Sequence, residues 1–327
     1  MNIGKVPESV LKRSVLKYVK QNITTSEKRA DIGCDCALFS EPFGLEQGSA
    51  TAVYIGRTKY AIIRAMKKVR NNLITAGIAL TAVQISIVLS ENIYESELRH
   101  MMEEAKEYAN KHKITILGGH TCVSKDVSAP VITVTGFGWE PAYQQGTIAP
   151  EMDIVMTKWI GLEGSAYLAQ EQEEKLATRL PLRLIHEVTT YDQHLSIVSE
   201  AAIAIKSDIC TMHDVSGGGI FRALWELVEG TDVGLKIYLK KIAVKQETIE
   251  VCEFFGLNPY ELLSGGALLI VTKQGDKLVE ELEQAGILAT VIGETTDDHD
   301  KIIINQHTDG IETRYLDKPK TDEIDRI

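Results

Sequence analysis

The sequence predicts a two-domain chain of mixed α/β (α+β) character, on three observations. Its 327 residues, 44% of them hydrophobic, can fill two ordinary cores. Strand-like and helix-like periodicities alternate in each half of the chain. Between the halves the turn-rich run Trp139 to Pro150, with Pro141, Gly146 and Pro150, leaves no room for a continuous helix or strand. The boundary is placed at 145/146, giving an amino-terminal domain over 1–145 and a carboxy-terminal domain over 146–327.

Taken in order, Glu8 to Val19 carries Val10, Leu11, Val15, Leu16 and Val19 at helical spacing. A short alternating segment, Asp31 to Phe39, places Asp31, Gly33 and Asp35 on one strand face and Cys34 and Cys36 on the other. Helices follow at Tyr60 to Asn72 and Glu95 to Lys111. Val-, Ile- and Thr-rich strands are expected at Ala79 to Leu89, Ile114 to Leu117 and Val131 to Gly138. The second half opens with a strand at Asp153 to Thr157. Helices are then expected at Gly164 to Ala169 and, as one long element, Arg183 to Ile205, followed by a strand at Asp208 to Met212. After a glycine turn, helices at Ile220 to Glu229, Gln246 to Phe255 and Asp276 to Ala285 alternate with strands at Gly234 to Tyr238, Ala267 to Thr272, Ala289 to Ile292 and Lys301 to Ile304.

Charge and composition narrow the function classes. Forty-six acidic against 35 basic residues give a net charge of -11, which repels a nucleic-acid backbone. Lys59 to Arg70 is locally basic, but its charges interleave with Ile62, Ile63, Ala65 and Val69 as on a half-solvated helix. No apolar run reaches the roughly 20 residues of a membrane span, and Met1 to Asn22 lacks the layout of a secretory signal. The 5 cysteines, an odd number, point to reduced thiols and a cytoplasmic location.

Three segments are candidates for chemistry. His213-Asp214-Val215-Ser216-Gly217-Gly218-Gly219 lies between a strand and a helix, where glycines let backbone approach a ligand and free amides can hold an anion. Leu117-Gly118-Gly119-His120-Thr121-Cys122 follows an apolar strand and is read as a second glycine-opened strand end. The amides of these two strand ends are expected to converge on one anion. Asp35 is a candidate ligand for a phosphate-bridging Mg²⁺.

These segments, with Asp153 to Ala169, Met212 to Val228 and Phe255 to Ile270, in this order, resemble the aminoimidazole ribonucleotide synthetase-like superfamily, and within it the hydrogenase maturation factor HypE branch. The resemblance covers nearly the whole chain. It implies an amino-terminal domain that pairs with its twin into a β-barrel, hence a homodimer, and a carboxy-terminal α/β domain completing a cleft for ATP and Mg²⁺. Carried over, Asp35 matches the metal aspartate, Gly118, Gly119, His120 and Thr121 match the nucleotide segment, and Asp214, Gly217, Gly218 and Gly219 match the second-domain turn.

Departures from the pattern are as informative. The strand Thr51 to Arg57 carries no acid, and neutral Asn72 stands where the family has a carboxylate, which weakens attraction for Mg²⁺. The sequence ends in Ile327 rather than the cysteine on which the HypE branch builds its thiocarboxamide. Cys34, Cys36, Cys122 and His120 form a candidate thiolate-rich set suited to Zn²⁺. Two functions are therefore expected as alternatives. One is ATP-dependent phosphoryl transfer to a small molecule or a partner protein, with Asp214 and His213 positioning substrate or moving protons. The other is a catalytically retired dimer that binds a nucleotide, a metal or a partner.

Overall fold

The computed structural model describes residues 8–17, 35, 37–40, 46–56, 60–307 and 310–327. The chain separates into two compact units, with the change at Tyr143/Gln144. The first described helix, α1 (Glu8–Leu11), runs into a π-helical turn at Lys12–Leu16 and belongs by its contacts to the carboxy-terminal unit. Lys12 there pairs with Glu229 at 3.0 Å and Lys318 pairs with Glu8.

The amino-terminal unit is built on five strands: β1 (Ala37–Ser40), β2 (Glu46–Ile55), β3 (Ala82–Leu89), β4 (Thr115–Val123) and β5 (Val131–Trp139). Their order is β1-β2-β5-β3-β4, antiparallel except for the parallel pair β3/β4. That parallel pair requires a crossover, supplied by α3 (Glu95–His112), while α2 (Ala61–Ile74) joins β2 to β3. Period-two alternation sorts β2 into two faces: Ala50 and Ala52 are buried, whereas Thr51, Val53 and Ile55 point outward and are exposed. The inward face meets Ile62, Ala65, Met66, Val69 and Leu73, which recur along α2 at helical spacing. Acidic Glu95 and Glu97 open α3, and the Glu97 carboxylate accepts the Tyr94 amide at 2.9 Å; Lys111 and His112 close it.

The carboxy-terminal unit carries seven strands: β6 (Asp153–Thr157), β7 (Ile209–Asp214), β8 (Gly234–Tyr238), β9 (Leu268–Thr272), β10 (Ala289–Thr296), β11 (Lys301–His307) and β12 (Gly310–Tyr315). In the order β12-β11-β8-β10-β6-β9-β7, the first strand of the unit lies inside the sheet and β7 at its edge. Ile154, Val155 and Met156 of β6 are all buried, as befits a strand covered on both faces. One core gathers Ile154, Met156, Ile237, Leu269, Val271 and Ile292 with α8 (Gly219–Leu227). A second lies among α4 (Leu162–Glu171), α6 (Leu182–Thr189) and α9 (Gln246–Phe255), around Leu162, Ala166, Ile185, Val188, Tyr191, Val251 and Leu262. The remaining helices are α5 (Glu173–Leu176), α7 (Val198–Ala204) and α10 (Gly275–Gln284).

Three expectations are corrected. The single helix Arg183 to Ile205 is instead α6, a 3-10 turn (Thr190–His194) and α7. The break has a polar cause: Lys158 Nζ donates to the carbonyls of His194 at 2.8 Å and Ser196 at 2.7 Å, oxygens that face this side chain. The strand expected to stop at Leu117 runs on to Val123, so Gly118 and Gly119 lie within β4 and not at its end. Strand β12 was not foreseen. Val19 and Asp31 to Cys34 lie outside the described residues, as does Cys36. Among the described residues no helix is long and apolar enough to cross a membrane.

Candidate functional site

In the amino-terminal unit the candidate surface is the edge strand β4. Its pairing with β3 slips between Val83/Gln84, where Ile116 faces Val83 and Gly118 faces Gln84, leaving Leu117 as the extra residue of a bulge. The two glycines beyond it have different reasons to be there. A Cβ on Gly119 would collide with the backbone carbonyl of Ile85, so glycine is what lets β4 approach β3. At Gly118, with φ +135°, no atom lies within 4 Å of the Cβ position, and the backbone is open. His120 and Thr121 are exposed and Cys122 half-buried, with His120 and Cys122 on one strand face and Thr121 on the other.

Asn72 sits in α2, 9% exposed, and its Oδ1 is buried with no hydrogen-bond partner among the described residues. Asp35 is half-buried in a bend, and Cys34 and Cys36 fall outside the described residues. No group of three His, Cys, Asp or Glu side chains able to hold a metal occurs among the described residues. Asp35, Asn72, His120 and Cys122 are thus not gathered into such a group within the described part of the chain.

In the carboxy-terminal unit, β7 ends at His213 and Asp214, which are 4% and 1% exposed. His213 Nε2 lies 3.7 Å from Glu226 Oε2 on α8. Asp214 pairs in register with Leu268 of β9, and Leu268 in turn donates its amide to Thr157 Oγ1 at 3.2 Å. The Thr157 strand end continues into Lys158, whose ammonium is 2.5 Å from Glu200 Oε1, with the two side chains 9% and 4% exposed. Burial pushes the Lys158 pKa down, and the charges of Glu200 and Asp214 work against that shift.

Two amides of the glycine turn are engaged within the chain. Gly219 donates to Ser216 O at 3.0 Å, and Gly218 donates to Asp322 Oδ2 at 2.5 Å. The other Asp322 oxygen accepts from Leu263 N at 3.0 Å and Ile324 N at 2.9 Å. Gly218, at φ +83°, begins α8, and a Cβ there would run into Arg222 Nε; a Cβ on Gly219 would strike the Tyr260 carbonyl. Asp322, Arg222, Lys158 and Glu200 were not singled out in the sequence. Lys158 carries a signal of sorts, a lone cation at the end of an apolar strand, whereas nothing local marks Asp322.

Comparison with known proteins places both units in one family. Residues 56–139 match AIR synthase related protein, N-terminal domain, and residues 149–305 match AIR synthase related protein, C-terminal domain. A putative hydrogenase expression/formation protein of Methanocaldococcus jannaschii is 25% identical over 264 residues, 79% of this chain and 76% of that protein. Carbamoyl dehydratase HypE of Azotobacter vinelandii is 24% identical over 237 residues, 68% of this chain and 67% of the relative. Among solved structures, a HypE-HypF complex superposes with a TM-score of 0.72 at 19% identity, covering 94% of this chain and 100% of the matched one. The hydrogenase maturation protein HypE in complex with ATP gives 0.65 at 16%, covering 97% and 95%.

Proposed function

Because the chain belongs to the AIR synthase related proteins, carrying the family's N-terminal and C-terminal domains in order, we propose that it binds ATP and uses it in phosphoryl transfer to a small molecule or a partner protein. The observation that carries the reading is the open bulge of β4. Gly118 presents backbone with no neighbour at its Cβ position, and His120 and Thr121 stand exposed beside it. A phosphorylated ligand can lie against such a backbone and take hydrogen bonds from it. The HypE relative solved in complex with ATP supports the choice of nucleotide, and the HypE-HypF complex supports a protein as the acceptor's carrier. Asp214 and His213 remain the candidate positioning and proton-transfer groups, and their burial requires substrate to reach them through a change in the covering residues.

Isothermal titration with ATP, ADP and AMP, with and without Mg²⁺, tests the reading, together with a phosphate-release assay. Submillimolar ATP binding that Gly118→Val weakens at least tenfold is expected. Binding unaffected by that substitution removes the β4 segment from the site.

The retired-binder reading is favoured by one specific observation, the neutral Asn72, whose buried Oδ1 has no partner among the described residues, in place of a family carboxylate. It predicts ATP binding without phosphate release, and Asn72→Asp would then strengthen the Mg²⁺ dependence of binding. The outward face of β2, with Val53 54% and Ile55 71% exposed, is the surface we assign to homodimerisation. Val53→Asp should convert a dimer to a monomer in light scattering.

A further inference from the structure

Strand β12 closes one end of the carboxy-terminal sheet, and among the described residues no strand pairs with its outer side. Every residue from Gly310 to Tyr315 is exposed. An open edge of this kind usually carries a device that discourages pairing, such as a proline, a bulge or a lysine. β12 has none of these. Its register with β11 is unbroken from Ile302/Tyr315 to His307/Gly310, and its charged residues, Glu312 and Arg314, are of opposite sign.

The direction of the backbone groups follows from the end of the hairpin. The Leu316 amide donates to the Lys301 carbonyl at 2.7 Å, and these residues stand opposite each other one step beyond the Ile302/Tyr315 pair. Hydrogen-bonded and non-hydrogen-bonded pairs alternate along an antiparallel ladder. Gly310, Glu312 and Arg314 therefore direct their amides and carbonyls to β11, whereas Ile311, Thr313 and Tyr315 turn theirs to the outer edge. The side chains sort in the same way. Ile311, Thr313 and Tyr315 share one face, with Ile311 67% and Tyr315 66% exposed, and Glu312 and Arg314 share the other. On that second face the Arg314 guanidinium carbon lies 5.5 Å from the Phe221 ring centre and Glu312 lies 3.5 Å from His307, yet both residues remain exposed.

We propose that β12 is a docking edge for a second copy of this chain, the two strands running antiparallel about a two-fold axis at Thr313. The run Ile311-Glu312-Thr313-Arg314-Tyr315 is complementary to its own reverse. With the axis at Thr313, Glu312 of one copy faces Arg314 of the other at a non-hydrogen-bonded position, where side chains approach most closely. Ile311 of one copy then faces Tyr315 of the other, a β-branched residue against an aromatic one. The outward amides and carbonyls of Ile311, Thr313 and Tyr315 are exchanged across the same seam. Moved one step either way, the axis falls on Glu312 or on Arg314 and sets like charges against each other, so charge selects the register. This edge is separate from the β2 face assigned above to homodimerisation. Two different two-fold contacts on one chain join dimers into larger assemblies.

Sedimentation velocity of the full chain over a concentration series tests the proposal. Glu312→Arg sets arginine against arginine across the axis, and Arg314→Glu sets glutamate against glutamate. Each should weaken the association about tenfold or more. An equimolar mixture of the two variants should recover it, because every arginine then meets a glutamate. The double variant Glu312→Arg with Arg314→Glu should self-associate as the wild type does, which separates a charge effect from damage to the strand. Val53→Asp, which addresses β2, should leave this pattern unchanged. In the unmutated protein, amide hydrogen exchange at Ile311, Thr313 and Tyr315 should slow as concentration rises. Single variants that associate like the wild type, a mixture no more associated than its components, association that Val53→Asp alone abolishes, or edge amides whose exchange is independent of concentration would each overturn the proposal.

Discussion

Replacing Lys158 with methionine tests the charge arrangement behind β6. The substitution keeps most of the side-chain volume and deletes an ammonium that sits 2.5 Å from Glu200 and donates to the carbonyls of His194 and Ser196. Glu200 is left 4% exposed with no counter-charge at that place, and two carbonyls lose their donor. Removing one member of a buried ion pair costs about 3–5 kcal/mol. With a urea m-value of roughly 2–3 kcal/mol/M, the midpoint for the carboxy-terminal unit should fall by about 1–2.5 M, followed through the fluorescence of the adjacent Trp159. The double variant Lys158→Met with Glu200→Leu should recover the charge part of that loss but not the part owed to the two carbonyls. A single variant within about 1 kcal/mol of wild type, below the range for breaking a buried pair, or a double variant whose losses simply add, would refute this account of the helix break.

Further outcomes can be stated briefly. Gly119→Ala should separate β4 from β3, because its new methyl meets the Ile85 carbonyl, and amide exchange over 115–123 should rise sharply. Gly118→Ala, into open space but at φ +135°, should cost only about 1–3 kcal/mol. Among Cys122, Cys210 and Cys252, iodoacetamide at pH 8 should label half-buried Cys122 first; burial pushes the Cys252 thiol up to about 12, so labelling there should await unfolding. His112 and His194 both have pKa values held below 6.5, chiefly by burial and secondly by Arg70 and Lys158 respectively. The unfolded chain then takes up protons first, so stability is full above pH 6.5 and declines as the pH falls through the lowered values. His194→Gln should flatten the fall in urea midpoint between pH 7 and pH 5.

Repetition along the chain made most of the fold legible, because burial of one face imposes a period that side chains must follow. Helix α9 and strand β8 lie where the spacing of Thr248, Val251 and Cys252, or of Leu235 and Ile237, put them. Strand β12 escaped notice because it is an edge strand with exposed side chains on both faces and hence no alternation to read. The break near Ser196 escaped because its cause, Lys158, is 38 residues away. The glycine turn was visible as a place where backbone comes close to something, yet the partner of Gly218 is a carboxylate 104 residues downstream. A sequence displays which backbone is available, whereas tertiary closure decides what takes it.

The pairing of Glu8 with Lys318 has a consequence for biosynthesis. Glu8 leaves the ribosome early, but its partner Lys318 follows about 310 residues later, and at roughly 5–20 residues per second the wait is on the order of 15–60 s. Central strand β6 likewise emerges well before its neighbours β9 and β10. The amino-terminal sheet, complete once Trp139 has emerged, can fold during translation. The larger unit must hold the apolar strand β6 unpaired until β9 and β10 have been made, which leaves that strand open to mispairing on the nascent polypeptide.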